Sequence, residues 1–270
     1  MKRITYIGHS GFMVETDDQI LLFDCIANGI GRTSAGTAKA ADSDLQSEAG
    51  MEENAMVSRG ILPYLDPAKK LTVFISHMHE DHYVPEIWRL AGMHPDVVFF
   101  AGEEDLAEEA ADYLDPQLMQ GVYETEPDQT YELKGRMKVE TLLSTDAGAA
   151  FYVTLEDGTT VFHAGDLLLW MWYDNSPEYN AWMEKTFYGE LDRIRGRHTD
   201  IAFLPLDPRL EMNAELSIDA YLQAMDIDFA LPMHFWKNYA FVKAFADSAG
   251  EKPWRSPVHV LTQENQEFEL

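Results

Sequence analysis

The chain has 270 residues, 46% of them hydrophobic and 12% aromatic, enough to bury a large core without disulfides, and its one cysteine, Cys25, has no partner. Forty-seven acidic residues against 20 basic ones give a formal charge of -27, which argues against nucleic acid as a partner because affinity for a phosphate backbone comes from Lys and Arg. No apolar run is long enough to cross a bilayer and none follows Lys2-Arg3, so a soluble cytoplasmic protein with no membrane partner is expected.

In chain order, strands are predicted near residues 3–7, 11–15 and 20–24, followed by an interruption. The interruption, over 27–60, is rich in Gly, Ala, Ser, Asp and Glu, lacks aromatics, and reads as a flexible insertion or a substrate flap. The apolar run Leu71-Thr72-Val73-Phe74-Ile75 predicts a buried strand, with a helix from Pro85 to Ala91, a strand at 97–100 and an acidic helix to Leu114 that turns Leu106, Ala110 and Leu114 inward. Strands are expected at 130–133, 137–143, 150–155 and 160–163, the last two joined by the tight turn Glu156-Asp157-Gly158-Thr159. Helices at 177–195, 217–226 and 238–248 then alternate with strands at 200–204, 229–231 and 258–261. Strands in both halves with helices late in each predict an α/β protein: a four-layer αβ/βα sandwich of two mixed sheets flanked by helices, in one domain over residues 1–270. Cys25, at a strand end, reads as a small core residue.

The most informative stretch is His77-Met78-His79-Glu80-Asp81-His82, an H-x-H-x-D-H cluster directly after a buried strand. Imidazole and carboxylate are ligands that Zn, Mn and Fe accept, and a turn lets alternate side chains converge where a regular strand would separate them. Asp81 alone would equally suit the start of the following helix, but that leaves three clustered imidazoles without a purpose.

The cluster resembles the signature of the metallo-β-lactamase superfamily. The opening Ile4-Thr5-Tyr6-Ile7-Gly8-His9-Ser10-Gly11-Phe12 and the following Ile20-Leu21-Leu22-Phe23-Asp24 are similar to the start of its small metal-dependent hydrolases, near the ascorbate-phosphate lactonases. The resemblance runs in order from Met1 to about Trp236. It implies two divalent metal ions (Zn, Mn or Fe) and three further ligands at strand ends. Asp146, in Ser144-Thr145-Asp146, stands where the superfamily usually presents a histidine; a carboxylate there hardens the site toward Mn or Fe, unless Asp146 only caps the turn before Gly148. Asp166, in His163-Ala164-Gly165-Asp166, matches the bridging carboxylate, with Ala164 and Gly165 making room and His163 in at most an orienting role. His234, after Phe229-Ala230-Leu231, takes the place of the last ligand.

The implied arrangement has His77, His79 and Asp146 on one metal, Asp81, His82 and His234 on the other, and Asp166 between them. Its implied chemistry is hydrolysis by a metal-bridging hydroxide of a small anionic metabolite, a lactone, phosphoester or related ester or amide, with Asp81 orienting the nucleophile. Arg209 is a candidate anchor for a substrate phosphate or carboxylate, and His9 and Trp236 are candidate pocket residues, although His9 reads equally well as a hydrogen-bonded turn residue. The neighbouring Trp170, Trp172, Tyr173 and Phe235 fit a pocket wall, core packing or a homo-oligomer contact. A non-catalytic metal-binding domain of the same fold is the alternative reading.

Overall fold

The computed structural model describes residues 2–30 and 57–270. The first sheet starts as a meander of β1 (Arg3–Gly8), β2 (Gly11–Glu15) and β3 (Gln19–Phe23) and becomes parallel through β4 (Lys70–Ile75), β5 (Val97–Ala101) and β6 (Val122–Glu124). In the second, β7 (Thr130–Leu133), β8 (Met137–Leu143), β9 (Ala149–Leu155) and β10 (Thr160–His163) run antiparallel, and β11 (His198–Pro205) and β12 (Asp226–Met233) continue parallel to β10. The last strand, β13 (Gln266–Glu269), returns to the first sheet beside β1. The helices are α1 (Leu90–Met93), α2 (Glu104–Tyr113), α3 (Pro177–Ile194), α4 (Leu216–Ala224) and α5 (Tyr239–Asp247). This is the two-sheet sandwich that the order of elements predicts.

Strand alternation builds the layers. Phe12, Val14, Leu21, Phe23, Phe74 and Phe100 point into the core shared with the second sheet, where Phe151, Phe162 and Phe203 meet them. Their neighbours Met13, Ile20, Leu22, Val73 and Phe99 face the other way and pack with Trp88 and with Leu106 and Ala110 of α2. Cys25 belongs to this second cluster; burial pushes its thiol up to about 12, so it is a packing residue. On the outside of the second sheet, α3 contributes Met183, Phe187, Leu191 and Ile194.

Four elements differ from expectation. The helix predicted at 85–91 is a 3-10 turn, Pro85–Arg89, leading into α1. The short strand β6 lies between Leu114 and residue 130, where no strand is expected, and the stretch 258–261 makes only an isolated bridge from Val258 to Ala230, while an unexpected terminal strand lies at Gln266–Glu269. The centre of the expected insertion, residues 31–56, lies outside the described residues, but its two ends are pinned together. Asn28 pairs with Ile61, Gly60 N–H donates to the Ile7 carbonyl at 2.9 Å, and Ile26 and Val57 pack with Trp236. No helix among the described residues is long and apolar enough to cross a membrane.

Candidate metal centre

Parallel strands end together, and the loops at their carboxyl ends surround one crevice, the place where open α/β sheets present ligand groups. After β4 the chain winds Ser76–His82 into a turn in which the N–H groups of His82 and Tyr83 both donate to the His79 carbonyl at 2.9 Å. The turn crowds the imidazoles: ring centroids are 4.1 Å apart for the tilted pair His77 and His82 and 4.6 Å for the edge-to-face pair His77 and His79. From β10, Ala164 and Gly165 deliver Asp166; from β12 comes His234; from the β8–β9 loop comes Asp146. Gly148 in that loop is obligatory, because a Cβ there would lie 1.8 Å from the Ser76 carbonyl oxygen, and its φ of 68° is a glycine conformation.

Asp166 sits at the centre, its two oxygens turned to different imidazoles: Oδ1 is 3.1 Å from His82 Nε2 and 3.7 Å from His234 Nε2, whereas Oδ2 is 3.6 Å from His77 Nε2. Asp81 Oδ2 lies 3.3 Å from His234 Nε2, 3.8 Å from His82 Nε2 and 3.1 Å from His9 Nε2. At the open side His79 Nδ1 is 3.6 Å from Asp146 Oδ2, both side chains being about half exposed. The fold therefore brings His9, Asp81, His82 and His234 into one group whose donor atoms could share an ion and His77, His79 and Asp166 into another, with Asp146 beside His79 at the open side.

A layer of hydrogen bonds aims the rings. Asp24, fully buried at the end of β3, accepts from Ser76 N–H, Ser76 Oγ and His82 Nδ1, each at 2.7 Å. Ser76 Oγ in turn lies 2.9 Å from His77 Nδ1, and Asp207, after β11, accepts from His234 Nδ1 at 3.0 Å. With Nδ1 committed, His77, His82 and His234 present Nε2 to the crevice, a lone pair whenever the ring is neutral. His163 acts one step back: its Nε2 donates to the Ser10 carbonyl at 2.9 Å and its Nδ1 accepts from Gly165 N–H at 3.1 Å, fixing the peptide before Asp166. Thr145 Oγ bonds the carbonyls of Asp166 and Leu168 at 3.1 and 2.5 Å and clamps the same loop.

Asp24, Asp207 and Ser76 carry no motif of their own. The local signal for the two carboxylates is an acidic residue one or two positions past a buried strand, a costly position unless it has a partner. Arg209 does not project as an isolated anchor. Its guanidinium is held by Asp207, with Nε at 3.0 Å and Nη2 at 2.7 Å from Oδ2, and lies 4.0 Å over the Trp236 ring. Trp236 itself packs on His9 and Trp170 on His234, with centroids 4.8 and 5.8 Å apart, so aromatic rings wall this side.

Charge is concentrated here. Burial opposes ionisation of Asp166 and Asp81, yet the surrounding imidazoles, His82 foremost, hold both carboxyls well below the usual range. Burial likewise opposes charge on His82 and His234, but Asp166 raises both, aided by Asp81 and Asp24 at His82 and by Asp207 and Asp81 at His234, which rises to about 9. His77 and His9 are pushed down, to about 3 and about 4, by burial and by neighbouring imidazoles. Asp146 is raised by its partial burial and by Asp166.

Backbone strain collects at the same place: among non-glycine residues, His9 (φ 47°), Asp24 (38°), His234 (63°) and Trp236 (51°) all adopt left-handed conformations.

Such a crevice can hold divalent cations. The buried atoms His77 Nε2, His82 Nε2, His234 Nε2 and Asp166 Oδ1 have no hydrogen-bond partner, although such atoms are costly to leave unsatisfied. They converge, they are the donor types that Zn, Mn and Fe accept, and spacings of 3.1–3.7 Å from Asp166 Oδ1 to the His82 and His234 nitrogens suit donors sharing an ion.

No protein-family model matches the chain. It is 28% identical over 246 residues to a UPF0173 metal-dependent hydrolase of Opitutus terrae, an alignment covering 87% of this chain and 86% of that one. Among solved structures it is similar to Igni18, described as a metallo hydrolase of Ignicoccus hospitalis, with a TM-score of 0.59 and 17% identity over 100% of this chain and 99% of that chain. It is also similar to the metallo-β-lactamase fold protein YhfI of Bacillus subtilis, with a TM-score of 0.53 and 12% identity over all of both chains. With two mixed sheets, flanking helices and the His/Asp crevice at their strand ends, this is a protein of the metallo-β-lactamase fold.

Proposed function

We propose that the protein is a metal-dependent hydrolase with a two-cation centre acting on a small anionic metabolite, a lactone, phosphoester or related ester or amide. The observation that carries this reading is the convergence of buried, unpartnered donors, His77 Nε2, His82 Nε2, His234 Nε2 and Asp166 Oδ1, on one crevice. His77, His79 and Asp146 would hold one cation and Asp81, His82 and His234 the other. Asp166, with an oxygen toward each group of imidazoles, would join the two.

Bound divalent ions supply Lewis acidity and acidify water toward neutral pH. The chain's own residues do the rest. Asp24, Ser76 and Asp207 keep the imidazoles aimed, Asp81 orients the attacking water, and the rings of Trp170 and Trp236 exclude solvent from the inner wall. Arg209, paired with Asp207 and lying over Trp236, could meet an anionic group on the substrate only through the part of its guanidinium that Asp207 does not hold. The acidic surface fits a small diffusible substrate in the cytoplasm rather than nucleic acid.

Elemental analysis of protein purified without chelator, beside an Asp166→Asn variant, tests the centre. About two equivalents of Zn, Mn or Fe in the parent and a marked loss in the variant are expected. Turnover of generic phosphodiester, lactone and β-lactam substrates tests the chemistry: fully metallated protein that hydrolyses none of them and binds a macromolecule tightly would instead be a non-catalytic metal-binding domain.

A further inference from the structure

We infer that His9 is a positioning residue of the centre: its Nε2–H holds Asp81 against His234 and His82, and so determines the affinity of the cation on that side. The inference rests on the metal-centre reading above. His9 Nε2 is 3.1 Å from Asp81 Oδ2, and the same oxygen lies 3.3 Å from His234 Nε2. The ring is buried, wedged between His234 and Trp236 at centroid distances of 4.5 and 4.8 Å, and its only polar partner among the described residues is that carboxylate.

The pattern of unsatisfied atoms separates His9 from the other three imidazoles. His77, His82 and His234 commit Nδ1 to the protein and leave Nε2 unpartnered. In His9 the reverse holds: Nε2 is engaged by Asp81 and Nδ1 is the buried atom with no partner. A neutral ring arranged this way keeps its proton on Nε2 and donates it to the carboxylate. Ligation through Nε2 would move the proton to Nδ1 and bury an N–H with no acceptor, at greater cost.

The turn that carries His9 is built to hold it. Its φ is 47°, its backbone N–H donates to Ser58 Oγ at 2.5 Å, and Ser58 is fixed by Tyr6 Oη at 2.9 Å. The chain leaving the insertion thus locks a strained backbone whose side chain bonds Asp81. A strained, non-glycine turn is retained where the surrounding structure enforces it.

Two substitutions read out the donor. In His9→Gln the amide nitrogen reaches the place of Nε2 and can still donate to Asp81; in His9→Asn it falls short, although Asn tolerates the left-handed backbone well. Metal-free protein is titrated with Co2+ in a chelator buffer and both equivalents are followed by elemental analysis after dialysis and by the Co2+ absorption bands. His9→Asn is expected to bind one equivalent about 10- to 100-fold more weakly, the cost of losing an outer hydrogen bond to a ligand, and the other like the parent. His9→Gln should bind both within about threefold of the parent.

Parent-like binding by His9→Asn overturns the inference, as does a Gln variant as weak as the Asn variant, which would place the ring nitrogen itself on the ion. Equal weakening of both equivalents overturns it too, marking general damage to the pocket. A parent that takes up no Co2+ overturns the metal-centre reading and this inference with it, whereas the other failures leave that reading standing.

Discussion

At the scale of single residues, the crevice is a balance between protons and cations. Without metal, Asp166 and Asp81 are compensated by protons on His82 and His234, both of which are raised, His234 to about 9. His77 and His9, pushed down to about 3 and about 4, are already neutral. A metal ligand must be the unprotonated ring, so uptake displaces the protons of His82 and His234. The sign is fixed by the raised values: at pH 8 an ordinary imidazole is neutral and releases nothing, whereas His234, raised to about 9, keeps its proton, and His82 is shifted in the same direction. Calorimetric titration of the metal-free protein with Zn2+ at pH 8, in buffers of different ionisation enthalpy, should therefore register net proton release. Binding that is independent of buffer at pH 8 would mean the two rings are not charged there.

The residues of the centre were unequally legible. His77, His79, Asp81 and His82 announce themselves, because three imidazoles and a carboxylate crowded into six positions gain little from sharing a turn unless a cation joins them. Asp24 and Asp207 do not, since their partners His82 and His234 lie 58 and 27 residues further along the chain, and only the pairing of parallel strands brings them together. Arg209 shows the opposite effect. Its chemistry suits an anion anchor, but Asp207, two residues earlier in a 3-10 turn, binds the guanidinium first.

At the scale of elements, interior strands were legible and edges were not. β2, β3 and β4 read clearly because both faces are buried and their apolar residues run almost unbroken. β13 (Gln-Glu-Phe-Glu) is a polar edge strand whose pairing with β1 depends on chain reversal rather than on composition, and Val258 to Leu261 has strand-like residues without a strand's partners.

Arg255, buried against the ring of Phe245, is the centre of the polar network that ties the C-terminal region to α4. It donates to Asp219 Oδ1 at 2.7 Å and Oδ2 at 2.6 Å, to Glu215 at 2.5 Å and to Ser248 Oγ at 2.7 Å, joining α4 to the end of α5. Removing one partner of such a buried network leaves the others uncompensated, so Arg255→Ala should cost about 3 kcal/mol in denaturant unfolding. Arg255→Lys should recover little of it, because a point charge cannot satisfy three acceptors in fork geometry. A loss under about 1 kcal/mol for Arg255→Ala would show that Lys252, 3.1 Å from Glu215 and 3.3 Å from Asp219, compensates both carboxylates unaided.

At the scale of the whole molecule, the chain carries a formal charge of -27, and four of its carboxylates, Asp24, Asp81, Asp166 and Asp207, gather in the crevice. Self-repulsion of that size lowers the stability of the compact state, and monovalent salt relieves only its exposed part. On the reading proposed above, divalent ions held by Asp81, Asp166 and the imidazoles would act where salt cannot, and would bind the folded chain far better than the unfolded one, in which the donors are dispersed from His77 to His234. Linkage then sets the magnitude: free metal at 100 times its dissociation constant stabilises by about 2.7 kcal/mol per site. At about 2–4 °C per kcal/mol for a protein of this size, that is an increase of roughly 5–10 °C in Tm per site. Chelator-treated protein should therefore melt lower than protein purified without chelator. Added Mn2+ or Zn2+ should restore the difference with a Tm that keeps rising with the logarithm of metal concentration, while NaCl at matched ionic strength gives a smaller shift. An Asp166→Asn variant should lose most of the metal-dependent increase and keep the response to NaCl. If metal and NaCl at equal ionic strength move Tm alike, the ions act only on the acidic surface, and the crevice holds none.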